Sequence, residues 1–436
     1  ENGFFCAFRY RGFCGMSLNI WHPFTQHGLG EPIPEIARAE GAALYLADGT
    51  RIIDAISSWW VQTHGHCHPG IVAAIQEQSA RLDQMIFASW THQPARELAV
   101  GLSDFLPETL EHIFFSDSGS TAVEVALKMA LGYWHNRGET RQKLLVMEHS
   151  YHGDTIGAMS VGARGVFNQA YAPLLFDVGT IAFPAAGAEQ AALDQLEVFC
   201  KDGENRPAAL IVEPLILGAG GMKIYSPAIL AQMAAICRAH DVLFIADEVM
   251  TGWGRTGTVF ACEQAGVAPD ILCMAKGLTG GVIPLAVTAA SDAIYQAHFS
   301  EDRAQMFFHS SSFTANPIAC AAANANLAIW RDEPVRQRID GIIASHRAFS
   351  ERLEHRSGIS GLRQCGTILA LEIDDNAGDY MSDLGPRLLG FFRDRNILLR
   401  PLGNTIYIMP PYCIAREELE SVYRVVEAAI DHFGAS

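Results

Sequence analysis

The segments FIADEV (residues 244–249) and MAKG (residues 274–277) decide the fold class of this chain. Each is the polar end of an apolar run, and Asp247 ends the first run while Lys276 ends the second. A lysine at a buried strand end is costly unless it has a task, because burial disfavours the charged amine and lowers its pKa. Such an amine can form a Schiff base. An ordinary ion pair explains these two residues alone equally well.

Other apolar runs surround these two and predict a parallel sheet. They are HIFFSDSGS (112–120), KLLVME (143–148) and AALIVEP (208–214). Continuous apolar runs separated by helical patterns, such as residues 121–138, are typical of strands covered on both faces. We therefore predict an α/β fold with a large, mostly parallel-sheet domain over residues 65–325. Ligands are expected at the carboxyl ends of its strands.

The remaining segments are predicted to play smaller parts. Residues 16–64 are expected to contribute to a small domain and to the substrate pocket. Residues 326–436 mix helices with short strands such as NTIYIMPPY (404–412) and predict a smaller α+β domain. Residues 1–15 lack the apolar core of a signal peptide, and we interpret them as non-native or as an extension upstream of Met16.

Composition narrows the classes of function. The chain has 436 residues, with 31 Lys and Arg against 48 Asp and Glu, and a net charge of −17. This acidic balance argues against binding to nucleic acid or to an anionic membrane. No apolar run approaches the roughly 18–20 residues of a membrane helix. The ten cysteines include no CxxC pair, which favours reduced thiols and a cytoplasmic location.

Two further clusters predict parts of a cofactor site. DSGS (residues 117–120) precedes a predicted helix, and such a helix start can bind phosphate, although its serines could serve only as an N-cap. Tyr151 could stack on a cofactor ring or be an ordinary buried tyrosine. A carboxylate such as Asp247 suits the protonated ring nitrogen of pyridoxal phosphate, and Lys276 suits its aldehyde. The clusters together favour that cofactor.

Several motifs in the same order resemble the class III, or ornithine-type, pyridoxal-phosphate aminotransferases of fold type I. The resemblance runs from about residue 20 to about residue 412. The motifs are SDSGSTAVEVALKMA (116–130), YHGDTIGAMS (151–160), FIADEVMTGWGRTG (244–257), DILCMAKGLTGG (270–281) and SSFTANPIACAAA (311–323). The resemblance implies the fold of pyridoxal-phosphate transferases and a transamination reaction.

The resemblance also assigns roles to single residues. Lys276 would form the Schiff base and shuttle a proton, Asp247 would pair with the ring nitrogen, and Tyr151 would cover the ring. These three are the expected catalytic residues. The expected cofactor-binding residues are Ser118, Gly119, Ser120, Tyr151, Glu213, Asp247, Lys276, Ser311 and Ser312.

A homodimer with composite active sites follows from the same resemblance. Ser311 and Ser312 would reach the phosphate bound by the neighbouring subunit, most simply across a two-fold axis. The chain departs here from a common form of the family, because Ser310-Ser311-Ser312 stands where Gly-Pro-Thr is often found. Ser312 keeps the hydroxyl found in the family, and the departure bears on the substrate contact expected of Ser310.

Within the class, WHPFT (21–25), SSWW (57–60) and residues 400–412 resemble the branch that acts in biotin synthesis. That resemblance implies amination of 8-amino-7-oxononanoate, with S-adenosylmethionine as the expected amino donor and lysine as the alternative. Arg400 would hold the carboxylate of the oxo acid. The expected substrate-binding residues are Phe24, Trp59, Trp60, Tyr151, Lys276, Ser310 and Arg400.

Three further details of this pocket are predicted. Adjacent tryptophans in a strand point to opposite faces, so we expect Trp59 rather than Trp60 to contact substrate. Phe24 stands where some members carry tyrosine, which bears on the donor. Arg255 is hypothesised to pair with Asp154 at the pocket rim.

Other functions compete with this one. The same fold could act on an ω-amino acid, acetylornithine or 4-aminobutyrate, or serve as an aminomutase. A non-catalytic scaffold is a further alternative, against which the retained Lys276 and Asp247 argue. His64, His66 and His68 have a spacing that can share one strand face and bind metal, but class III members often carry this stretch, so no metal site is expected.

Overall fold

The computed structural model describes residues 20–203, 205–374 and 383–434, so the interpretation of residues 1–15 lies outside the described residues. The strands within these ranges are β1 (Ile36–Glu40), β2 (Ala43–Leu46), β3 (Arg51–Asp54), β4 (His112–Ser116), β5 (Lys143–Met147), β6 (Gly179–Ile181), β7 (Pro207–Val212), β8 (Ile216–Leu217), β9 (Lys223–Ile224), β10 (Leu243–Asp247), β11 (Ile271–Met274), β12 (Ala286–Ala290), β13 (Ile359–Cys365), β14 (Ile368–Ile373), β15 (Ile397–Leu398) and β16 (Thr405–Ile408).

The α-helices in the same ranges are α1 (Ser57–Trp60), α2 (Pro69–Ser79), α3 (Gln93–Leu102), α4 (Gly119–Asn136), α5 (Ile156–Ser160), α6 (Glu189–Lys201), α7 (Pro227–Ala239), α8 (Asp292–His298), α9 (Pro317–Asp332), α10 (Val335–Leu353), α11 (Leu384–Arg393) and α12 (Arg416–Phe433). None of these helices is long and apolar enough to cross a membrane in the part of the chain that the structure describes.

The central sheet has seven strands in the order β4-β12-β11-β10-β7-β5-β6. Strand β12 runs antiparallel to both of its neighbours, β4 and β11, whereas β11, β10, β7, β5 and β6 are parallel to one another. Every residue of β7, β10 and β11 is buried, because clusters of apolar side chains cover the sheet. The predicted α/β fold with a mostly parallel sheet is confirmed.

Helix α4 shows why the chain turns directly from strand to helix at this sheet. Ser118 caps it, and the Ser118 Oγ accepts a hydrogen bond from the Thr121 backbone N–H at 3.2 Å. Ala122, Val123 and Ala126 on its apolar side are fully buried. A cap followed by an apolar face of helical period fixes both the start and the orientation of the helix.

Three smaller sheets accompany the central one in the described residues, with strand orders β1-β2-β3-β15, β13-β14-β16 and β8-β9. In the first, β15 pairs in parallel with β3, and Leu398 lies opposite Asp54. The carboxyl ends of these two strands therefore lie together, although more than three hundred residues separate them in sequence. The division into domains at residues 64 and 325 stays a prediction.

Candidate active site

A cavity of about 350 Å³ lies at the carboxyl edge of the central sheet. Segments that follow β4, β7, β10 and β11 reach it, as expected where the carboxyl ends of parallel strands meet. The residues predicted from sequence that line it are Trp60, Ser118, Gly119, Ser120, Tyr151, Glu213, Asp247 and Lys276. Those outside its wall are Phe24, Trp59, Ser310, Ser311, Ser312 and Arg400.

Lys276 extends into this cavity from the turn after β11. Its backbone has a φ of 45°, a left-handed conformation that non-glycine residues adopt rarely and that often marks a functional site. Its Nζ lies 4.8 Å from the centroid of the Trp60 ring. Burial lowers the pKa of Lys276 to about 8, although Asp247 and Glu213 act in the opposite direction. An amine with this pKa can serve as nucleophile and as base near neutral pH.

Asp247, the last residue of β10, is the buried carboxylate of the cavity. Its Oδ2 lies 2.7 Å from His152 Nδ1, and its Oδ1 accepts a hydrogen bond from the Val249 N–H at 3.1 Å. The His152 Nε2 is buried and has no partner among the described residues. Sequence reasoning assigned no role to His152; its position next to Tyr151, after an apolar run, was the available signal.

Glu213 supports the cavity from behind Tyr151. It follows β7, and its carboxylate accepts hydrogen bonds from the backbone N–H groups of Tyr151 and Gly218, both at 2.9 Å. Burial raises the pKa of Glu213 to about 7. The pKa of the Tyr151 hydroxyl is raised as well, first by burial and then by Asp154. Tyr151 thus presents a neutral phenol in the cavity wall.

The first turn of α4 forms another part of the wall, next to Asp154. Gly119 is required there, since a Cβ on it would lie 2.6 Å from the Val249 Cγ1. The Ser120 Oγ accepts a hydrogen bond from the Asp154 N–H at 3.2 Å. Ser118 serves as the N-cap, while Gly119 and Ser120 present the positive end of an 18-residue helix to the cavity. Such a helix start binds anions.

Arg400 lies beyond the cavity wall, beside two aromatic side chains. Its Cζ lies 5.4 Å from the centroid of the Trp59 ring, and the Trp59 and Phe24 rings are 5.7 Å apart. Within the described residues, one guanidinium donor is used, by the Phe24 carbonyl at 3.1 Å. The other donors can bind a carboxylate.

The placement of the two tryptophans differs from the expectation. Residues 57–60 form a helical turn with non-helical backbone at Ser58 and Trp59, and not a strand. Trp60 is the indole against Lys276, whereas Trp59 is 42% exposed beside Arg400. The rule of alternating faces fails here because it holds only for extended backbone.

The hypothesis of an Arg255–Asp154 pair is wrong. Arg255 is only 1% exposed, and it donates to the backbone carbonyls of Pro410 at 3.1 Å and Gln62 at 2.8 Å. Asp154 is exposed. The buried guanidinium is satisfied by carbonyl oxygens that hold two chain segments together.

The histidines of HGHCHP (64–69) have separate partners. The Nε2 atoms of its three histidines lie 2.8, 2.9 and 3.1 Å from Asn326, Asp54 and Glu333 in turn. No group of three or more metal-ligating side chains occurs in the described residues. The stretch therefore acts in packing between segments.

The serines predicted to serve a neighbouring subunit lie near the cavity but outside it. The Ser311 Oγ donates to the Asp117 Oδ2 at 2.9 Å, next to the start of α4. Ser310 and Ser312 are exposed. Their contact with a second chain stays a prediction.

The residues of this cavity fit pyridoxal phosphate. Asp247 offers a buried carboxylate to a protonated ring nitrogen, the start of α4 offers N–H groups to a phosphate, and Lys276 offers an amine with a lowered pKa. The chemistry of this donor set matches three separate groups of the one cofactor.

Comparison with known proteins agrees with the geometry. The model of the family described as "Aminotransferase class-III" matches residues 26–430. The chain belongs to the class III aminotransferases. The resemblance drawn from the motifs is confirmed for the family.

Individual class III aminotransferases match over nearly the whole chain. An adenosylmethionine-8-amino-7-oxononanoate aminotransferase of Synechococcus elongatus is 44% identical, covering 95% of this chain and 98% of the relative. A crystal structure of the enzyme of that name from Methanocaldococcus jannaschii has a TM-score of 0.91 at 32% identity, covering 95% of this chain and 97% of the other. An amine transaminase from an uncultivated Pseudomonas species, with pyridoxal phosphate bound, has a TM-score of 0.90 at 31% identity, covering 96% and 100%.

Proposed function

We propose that the chain transfers an amino group from S-adenosylmethionine to 8-amino-7-oxononanoate, with pyridoxal phosphate as cofactor, and so forms 7,8-diaminononanoate for biotin. The observation that carries this proposal is that two consecutive tryptophans connect the two ends of the substrate site. Trp60 lies against Lys276, and Trp59 lies against Arg400. This arrangement suits a long substrate with an amino ketone at one end and a carboxylate at the other. The 44% identity to a relative of that name supports it.

The chain's own residues would hold the cofactor at three points. When bound, pyridoxal phosphate supplies an aldehyde for amines and a ring that withdraws electrons from the substrate carbon. Asp247, fixed by His152, would hold a positive charge at the ring nitrogen. Gly119 and Ser120 would hold the phosphate through their N–H groups and the Ser120 hydroxyl.

Lys276 would perform the proton transfers. With its pKa lowered to about 8, its Nζ can take a proton from the substrate carbon and return it elsewhere in the same reaction. Trp60 and Tyr151 line the cavity and would exclude water from that transfer. Arg400 would fix the far carboxylate so that the reacting carbon stays near Nζ.

We further infer that two chains associate into a homodimer. Large apolar side chains are exposed in two segments, with Ile86 and Trp90 more than 60% exposed and Phe308 and Phe313 at 62% and 59%. The segments meet where the Gln84 Nε2 donates to the Ser312 carbonyl. Exposed apolar side chains on two neighbouring segments favour association with another protein surface.

The cysteines support action in a reducing compartment, and we propose the cytoplasm. All eight cysteines within the described residues are free, and six of them are buried. Burial raises the pKa of several of these thiols, Cys273 and Cys320 among them, so they would be unreactive. The partners that the proposed transamination requires are its small-molecule substrates.

An isotope experiment tests the proposed reaction. Holoenzyme is incubated with 8-amino-7-oxononanoate and with S-adenosylmethionine carrying a nitrogen-15 amine, and the diamine product is analysed by mass spectrometry. We expect the label in 7,8-diaminononanoate, and a parallel sample with labelled lysine should give none. The control Lys276→Ala should give no product, since the proton-transferring amine is gone.

The outcomes separate the alternatives. Label from lysine alone would keep the acceptor and replace the donor. Product formed only from ω-amino acids or simple amines, with none from 8-amino-7-oxononanoate, would contradict the proposed substrate and favour another class III activity. Full activity in Lys276→Ala would overturn the assignment of the reacting amine.

A further inference from the structure

The segment Ser57–Trp60, here called the tryptophan turn, has a strained backbone. Ser57, Ser58 and Trp60 have φ values of 55°, 59° and 67°, in the left-handed region. The turn contains no glycine, the residue that adopts such angles without cost. Strained backbone of this kind persists only where surrounding groups hold it, and it is concentrated at functional sites.

A buried carboxylate holds the entry into the tryptophan turn, while the Ser57 Oγ donates to the Met409 carbonyl at 2.8 Å and the Trp60 Nε1 donates to the Tyr407 hydroxyl at 3.0 Å. Asp54, the last residue of β3, is fully buried. Its Oδ1 accepts hydrogen bonds from the N–H groups of Ile56 at 3.2 Å and Ser58 at 2.9 Å. Its Oδ2 accepts one from the Ser58 hydroxyl at 3.2 Å and lies 2.9 Å from His66 Nε2. Hydrogen bonds to an ionised acceptor are among the strongest that proteins make, so Asp54 fixes the entry into the turn.

Strand register brings Arg400 close in the fold to the end of β3 that carries Asp54. Asp54 pairs with Leu398 in the parallel ladder of β3 and β15, and Arg400 is two residues further along. The tryptophan turn leaves β3 at this point and brings Trp59 to within 5.4 Å of the Arg400 guanidinium. One residue later, Trp60 packs against Lys276. The conformation of the turn therefore sets how the two ends of the substrate site are spaced.

We propose that Asp54 is a positioning residue that determines the chain-length specificity of the amino acceptor. The inference rests on the proposed function, in which Arg400 binds the carboxylate of the acceptor. Asp54 does not line the cavity, and it acts through Trp59 and Trp60. Without its carboxylate the backbone at Ile56 and Ser58 loses the acceptor that holds it. Trp60 stays anchored by Tyr407, so Trp59 loses its fixed position relative to Trp60 and Lys276.

The test compares two acceptors in holoenzyme carrying Asp54→Asn. The acceptors are 8-amino-7-oxononanoate and its homologue shorter by two methylene groups, 6-amino-5-oxoheptanoate. Asparagine keeps one acceptor oxygen of similar shape and loses the other, so a folded protein is expected. We expect the KM for 8-amino-7-oxononanoate to rise roughly tenfold with kcat within about threefold, and the preference over the shorter acceptor to fall by a similar factor.

Asp48→Asn is the matched control. Asp48 lies in the exposed turn between β2 and β3, where its carboxylate accepts a hydrogen bond from the Thr50 N–H. Its substitution should change neither the KM nor the preference between acceptors. His66→Gln, which keeps a donor for Asp54, should stay close to the unaltered protein, while His66→Ala should lower the preference part of the way.

Each outcome bears on the inference separately from the proposed function. An Asp54→Asn protein with a lower melting temperature but an unchanged preference between acceptors would reduce Asp54 to a structural role and overturn the inference alone. If Asp54→Asn does not fold, an unchanged preference in His66→Ala would overturn it. Unaltered protein that aminates neither acceptor would overturn the proposed function, and the inference with it.

Discussion

At the scale of single residues, the position of Lys276 at the end of an apolar strand has a measurable chemical consequence. Burial brings its pKa from the ordinary 10.5 to about 8. A small acylating reagent reacts only with the neutral amine, so labelling of Lys276 in the cofactor-free protein should rise with pH to a midpoint near 8. Mass spectrometry of the digested protein measures the labelled fraction at each pH.

Lys201, on the surface of α6, is the internal control for the reagent. Prior addition of pyridoxal phosphate should protect Lys276 and leave Lys201 labelled. A Lys276 midpoint near the ordinary 10.5 would contradict the account of a desolvated amine.

Glu248, which follows Asp247 in sequence, should make the stability of the fold depend on pH. Glu248 is fully buried, accepts hydrogen bonds from the Cys262 N–H and the Thr251 hydroxyl, and has its pKa raised by burial to about 7 from 4.5. Because the folded pKa exceeds the unfolded one, the folded state binds the extra proton between these values. The free energy of unfolding should therefore decline as pH rises from about 4.5 to about 7, by up to about 1.4 kcal/mol per pH unit from this group.

The substitution Glu248→Gln tests this pH dependence. The quantity to compare is the slope of the free energy of unfolding against pH, because the amide also loses a hydrogen-bond acceptor and so changes the absolute stability. Urea unfolding of cofactor-saturated protein across the same pH window should show a shallower decline than in the unaltered protein. The part due to Glu213, whose pKa is raised in the same direction, should persist. Exposed Glu301→Gln is the control, and an equal slope in Glu248→Gln would refute the assignment.

At the scale of elements, the start of α4 has to approach the segment that follows β10 closely. A Cβ at Gly119 would lie 2.6 Å from the Val249 side chain, so Gly119→Ala should displace the first helical turn that lines the cavity. We expect the affinity for pyridoxal phosphate to fall at least about tenfold, since the N–H groups that face the phosphate move with the turn. Fluorescence titration of the cofactor-free protein measures it.

Gly341→Ala is the matched control, a glycine in the interior of α10 with nothing within 4 Å of its added Cβ. That substitution should leave cofactor affinity unchanged and stabilise the protein by up to about 1 kcal/mol, because alanine favours helix over glycine. Equal cofactor affinity in the two variants would show that the first turn of α4 does not bind the phosphate.

The central elements were predictable from sequence for a physical reason. Strands that are buried on both faces need continuous apolar runs, and residues 243–247 form such a run. The polar ends of parallel strands meet at the carboxyl edge of the sheet. Asp247 and Lys276 were therefore predicted to lie together, and the structure places both in one cavity. The cofactor end of the site follows from local pattern and sheet geometry.

The substrate end was less predictable because distant contacts determine it. SSWW (57–60) has strand-like composition, yet Asp54 and the parallel pairing with β15 impose a left-handed turn on it. Arg255 has the appearance of a pocket arginine, yet backbone carbonyls at residues 62 and 410 satisfy it in the interior. No local pattern around these residues records such partners.

At the scale of the whole molecule, the proposed dimer makes a prediction that the single chain does not. If Ser312 serves the phosphate in the partner's site, then Lys276→Ala and Ser312→Asp disable different halves of one composite site. The aspartate would place a negative charge against the phosphate and repel it. Each variant alone should be inactive, with a mass twice the 47.5 kDa of the chain by sedimentation.

Mixing the two variants after dissociation decides between the arrangements. In a heterodimer with composite sites, one site combines the intact Lys276 of one chain with the intact Ser312 of the other, and the second site contains both substitutions. Random reassociation makes half of the dimers heterodimers, so about a quarter of the unaltered activity should return. If Ser312 instead serves the site of its own chain, every site in every dimer contains one substitution and no activity returns. Recovery in the mixture therefore measures the geometry of the dimer directly, because only a site shared between subunits can be repaired by exchanging them.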